Sequence, residues 1–136
     1  MKYVNFLLLL LPLSFALQAN EALDAYYQKY EECANHENSK KPLTADVMNK
    51  YTLKKQDLKY ILIIKDIRVA KCSEAEEKAY LNTVNKEKKI TTQSEYNQSI
   101  LAKLNKEELV HINKINQRLA EFNVDVNVIS LYDKLK

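Results

Sequence analysis

A chain of 136 residues with 21 basic and 18 acidic side chains has a formal charge of only +3. Its lysines are interleaved with glutamates, so no basic stripe is laid out for nucleic acid or anionic lipid. There is no glycine, which excludes Gly-rich phosphate loops and Asn-Gly hairpins and directs the reading toward an all-α fold.

Residues 1–19 read as a secretory signal peptide. Lys2 supplies the positive start, Val4 to Leu17 the apolar stretch, and Ala19 the small residue before a cut. A membrane span needs about 20 apolar residues; this stretch is shorter and is interrupted by Asn5, Pro12 and Ser14. No cysteine follows the site to take a lipid. The expectation is a periplasmic or secreted protein without a stable membrane anchor. Residues 20–136 then form one helical domain.

In that domain Leu23, Tyr26, Tyr30 and Cys33 recur at spacings of three, four and three. They predict a first helix over Glu21 to His36 whose apolar stripe ends at Cys33. The segment "NSKKPL" breaks the pattern, and Thr44 is placed to cap a short second helix. From Leu53 to Cys72 the chain holds its most apolar run, Ile61 to Ile64, which fits a buried strand or a helix; the length of the segment decides for a helix. At about 100° per residue, Leu58, Ile61, Leu62, Val69 and Cys72 share one side. Leu53, Tyr60, Ile63, Ile64 and Ile67 share the other, which leaves a narrow wet strip at Lys55, Lys59 and Asp66. Such a helix belongs in the middle of a bundle, with Cys72 pointing inward.

Ser73 with Glu76, Thr92 with Glu95, and Asn105 with Glu108 all have the spacing of a capping box. They mark helices over Glu74–Lys89, Ser94–Leu104 and Lys106–Phe122, the last with Leu109, Ile112, Ile115, Leu119 and Phe122 on one face. The run "NKEKK", Asn85 to Lys89, reads as a helix C-terminus whose cations complement the macrodipole. Alternating valines after Asn123 predict a few extended residues, and Asn127 ahead of Ile129, Tyr132 and Leu135 predicts a last short helix. The sum is a small bundle of five or six helices.

The stretch "EECANHE" sets Cys33 three positions before His36. Two cysteines on neighbouring helices of an exported chain most simply form one disulfide, Cys33–Cys72. A structural zinc site usually shows two paired ligand motifs, and the chain has one. A cysteine nucleophile needs an exposed, activated thiolate, whereas a helix C-terminus repels that charge. His36 is better read as a cation at that C-terminus, and His111 as a boundary residue. The chain lacks H-E-x-x-H, G-x-S-x-G and C-x-x-C, and paired glutamates point about 100° apart on a helix. No catalytic residue, metal ligand or cofactor site is therefore assigned, and the chain is not expected to be an enzyme.

Tyrosine is the remaining signal: nine tyrosines stand against three phenylalanines and no tryptophan. Tyr26, Tyr27 and Tyr30 cluster on the first helix. They are the candidate partner-binding face, since tyrosine is enriched at hot spots; packing on the bundle is the alternative. The reading is an exported helical protein that binds another extracytoplasmic protein without catalysis, as a chaperone, inhibitor, immunity or accessory protein does. A small-ligand carrier with a tyrosine-lined cavity comes second and an enzyme third. The oligomeric state is not legible.

Overall fold

Side-chain caps set most helix starts, because the first backbone N–H groups of a helix have no partner inside it. In the computed structural model, which describes residues 11–84 and 89–135, there are seven α-helices and one very short pair of strands. Thr44 accepts from the Val47 N–H ahead of α2 (Ala45–Lys50). Thr92 and Glu95 form a reciprocal box ahead of α5 (Gln93–Leu101). Asn105 and Glu108 do the same for α6 (Lys106–Arg118), and Asn127 accepts from Ser130 ahead of α7 (Val128–Tyr132).

Five elements depart from the periodicity. Helix α1 (Leu11–Asn38) extends N-terminal to the expected start at Glu21, as far as the described residues reach. Leucine and alanine, frequent between Leu11 and Ala22, favour helix. Helix α3 (Leu58–Cys72) begins five residues later than Leu53. The Asp57 carboxylate turns back to take the Lys54 N–H at 2.8 Å, which closes a single 3-10 turn over Lys55–Asp57. Ser73 does not cap α4 (Glu74–Thr83). Its hydroxyl donates back to the Val69 carbonyl at 3.1 Å and so completes the outgoing α3. Helix α4 stops at Thr83; residues 85–88 of the "NKEKK" run lie outside the described residues, and Lys89 reaches Glu95 in the first turn of α5 at 2.5 Å. Helices α5 and α6 also end before Leu104 and Phe122.

Helix α3 is central and packs on α1, α4, α5 and α6. Met48, Ile61, Ile64, Ile115 and Leu119 fill the main core beneath it, with Leu43, Leu53, Leu58, Tyr60, Ile112, Val124, Leu131 and Leu135 around them. A second layer lies between α1, α3 and α4, where Tyr26, Cys33, Val69, Ala70 and Tyr80 are buried. The strands β1 (Lys41–Pro42) and β2 (Phe122–Asn123) pair in parallel, Lys41 against Phe122, and tie the end of α1 to the segment after α6.

Arg68 joins the two layers. Its guanidinium donates five hydrogen bonds: to the Asn116 side chain (2.7 Å) and carbonyl (3.0 Å), to the Leu119 (2.9 Å) and Phe122 (3.1 Å) carbonyls, and to Glu37 (3.1 Å). Three of the acceptors are carbonyls at and beyond the C-terminus of α6, where helix carbonyls are left open. All five donors of the guanidinium are used.

Candidate functional site

Cys33 and Cys72 are bonded, with Cα atoms 6.0 Å apart. Cys33 is 2 % exposed, whereas Cys72, expected to point inward, is exposed. It is the last residue of α3, where the helix leaves the bundle core, so the projection that grouped it with Ile61 overestimated its burial. The disulfide fits an oxidising, extracytoplasmic compartment. Among the described residues no helix is long and apolar enough to cross a membrane, and no three His, Cys, Asp or Glu side chains gather as a metal site requires. His36 is exposed at the end of α1.

The three tyrosines of α1 have separate fates. Tyr26 is buried and stacks on Tyr80 of α4, with ring centroids 6.3 Å apart and planes 10° from parallel. Its hydroxyl accepts from the Gln93 N–H at 3.4 Å, and burial raises its pKa above the usual tyrosine value. Tyr30 is half-buried, and its pKa is raised by burial and then by the Asp66 charge. Tyr27 is 48 % exposed and lies on the rim of Tyr26, with ring centroids 5.7 Å apart. Only Tyr27 is presented broadly to solvent.

His111 sits at the core boundary, as its position in the stripe predicts. Its Nε2 lies 2.7 Å from the buried carboxylate of Asp57, and its ring meets Tyr60 edge-on. Beside it the Tyr60 hydroxyl donates to Glu108 at 3.0 Å, and the Lys59 ammonium donates to the same oxygen at 3.2 Å. The Glu108 carboxyl is held below its ordinary range by the Asn105 N–H and then by Tyr60 and Lys59. These contacts fasten the start of α6 to the start of α3.

A contiguous apolar exposure lies between α3 and α7. Leu58, Leu62, Val128, Ile129 and Tyr132, with the stem of Lys59, line an open groove of about 340 Å³. Ile129 is 75 % exposed, and Leu62 and Tyr132 are 52 % exposed each. A second open depression of about 510 Å³ adjoins it, lined by Lys54, Lys55, Gln56 and, again, Tyr132. The Lys55 ammonium lies 4.7 Å from the centre of the Tyr132 ring. Sequence periodicity missed this surface. It placed Leu62 among the apolar residues of α3 and used Ile129, Tyr132 and Leu135 only to place a last short helix. That helix buries Leu131, with Leu135 just beyond it, which turns Ile129 and Tyr132 outward. No protein-family model, curated protein or solved structure matches the chain.

Proposed function

We propose that the chain is an exported protein that acts by binding another extracytoplasmic protein, without catalysis, and that the α3–α7 face carries the contact. The observation behind this reading is the continuous exposure of Leu62, Ile129 and Tyr132 around one apolar groove. Single exposed apolar residues are ordinary, but a contiguous apolar patch rimmed by polar groups marks an interaction surface. Covering what remains exposed of the three side chains, which are already a quarter to a half covered, supplies roughly 1–2 kcal/mol each, a share of the apolar core of an interface. The leader-like residues 1–19 and the disulfide support export.

Capture from the extracytoplasmic fraction with wild-type protein and with Ile129→Asp as baits tests the proposal. Ile129 is too exposed for its loss to unfold the domain, so the variant is expected to keep its helical circular dichroism and denaturation midpoint. Its affinity for the captured partner is expected to fall by about 2 kcal/mol or more, the hot-spot scale. Undiminished capture by the variant moves the contact away from this face, and Tyr27→Ala then tests the rim of α1.

A further inference from the structure

We infer that the α3–α7 face takes an amphipathic helix bearing apolar side chains with carboxylates beside them; this rests on the binding reading above and names the partner's chemistry. The two depressions share Tyr132, so the lysine-lined one begins where the apolar groove ends. Lys59 already has a carboxylate partner in Glu108. Lys54 and Lys55 have none among the described residues, and both are exposed. These two ammoniums, without carboxylate partners among the described residues, favour an occupant that brings acidic groups.

The helical form follows from what the groove lacks. Its walls are side-chain carbon, with no row of backbone N–H and C=O groups free to pair. An extended segment lying there would gain no backbone hydrogen bonds from the groove, whereas a helix satisfies its own and offers anchors at i, i+3, i+4 and i+7. Both depressions are open along the surface, unlike sites that enclose most of a small ligand. A third helix lying across α3 and α7 covers Leu62, Ile129 and Tyr132 and sets its flanking carboxylates over Lys54 and Lys55.

The test uses the full disulfide-bonded protein and three stapled helical peptides of equal length: a leucine-isoleucine stripe flanked by glutamates, the same stripe flanked by lysines, and a glutamate version with the stripe scrambled. The glutamate-flanked peptide is expected to shift the amide resonances of Leu62, Ile129 and Tyr132. It should bind at least tenfold more tightly than the lysine-flanked one at low salt, with the difference shrinking as salt screens it. Lys54→Glu/Lys55→Glu, at two exposed sites, should reverse that order. Equal binding of both striped peptides, shifts confined to another face, or no shift with any peptide overturns the inference. So does stronger binding of a long-chain alkyl carboxylate at the same residues, or a dimer that Ile129→Asp dissolves. If Ile129→Asp abolishes capture of the natural partner while the peptides show no charge preference, the binding reading stands and this inference falls. If the variant captures as well as wild type, the contact lies away from the α3–α7 face, and the assignment of that face falls together with this inference.

Discussion

Thr52 holds the turn between α2 and the start of α3 with φ of 58°, in a chain that contains no glycine to place there. Its N–H bonds the Asn49 carbonyl at 3.0 Å while the Leu53 N–H bonds that of Met48 at 2.9 Å, the pattern of a helix end that glycine usually occupies. A β-branched residue in the left-handed region costs about 1–2 kcal/mol. Thr52→Gly is therefore expected to stabilise the domain by about 1 kcal/mol after the entropy of a more flexible unfolded chain is counted, read as a higher denaturant midpoint with unchanged slope. Asp66 gives a second residue-level case. It was assigned to the wet strip of α3, yet it is half-buried and its carboxyl pKa is raised, by burial foremost and then by Asp125, against the opposing pull of Lys65. A raised folded pKa means that the fold prefers the protonated acid. Its contribution is favourable below the unfolded value of about 3.9 and is lost as pH rises through the folded value. Asp66→Asn, which resembles the protonated form, should be more stable than wild type at neutral pH and lose that advantage near roughly pH 3. A constant difference across the titration would place the effect in packing instead of charge.

Among the elements, the caps were readable because they are local: Thr44, Thr92, Asn105 and Asn127 need only a residue two or three positions on. The failures were those of context. Ser73 had the right spacing, but α4 follows α3 so closely that its hydroxyl serves the outgoing helix. In α7, five residues long, so short a pattern does not determine which side meets the core: Leu131 anchors the helix while Ile129 and Tyr132 face solvent. The strands β1 and β2 are two residues each and joined across most of the chain, a pairing no window of sequence displays. Arg68, within the apolar face of α3, gave no sign that it would close the end of α6. Its removal should be costly: Arg68→Leu leaves Glu37 paired only with Lys40 and strands several carbonyls, with an expected loss of about 3–5 kcal/mol. Arg68→Lys should recover little of this, because an ammonium has three donors and no planar fork. Thermal or denaturant unfolding of the two variants checks the ranking, and a lysine variant near wild type would show that charge alone matters here.

Across the whole molecule, the fold class and the disulfide pairing were legible, since helical periodicity and a single pair of cysteines leave little choice. The bond closes a loop of 39 residue steps, for which chain entropy gives about 4 kcal/mol. That is a large share of the roughly 5–15 kcal/mol typical of a domain. Cys33→Ala/Cys72→Ala is expected to lower unfolding free energy by about 2–5 kcal/mol in a denaturant titration; a change below that range would mean that the layer around Tyr26 and Tyr80 holds α1 to α4 unaided. The unequal burial of the two cysteines also has a kinetic side. A reducing thiolate approaching from solvent meets Cys72 first, and attack there must expel the Cys33 sulfur as a thiolate into an apolar interior that disfavours that charge. The bond is thus guarded at its leaving group, so small thiols that attack at Cys72 will cleave it slowly for as long as α1 stays packed against α4.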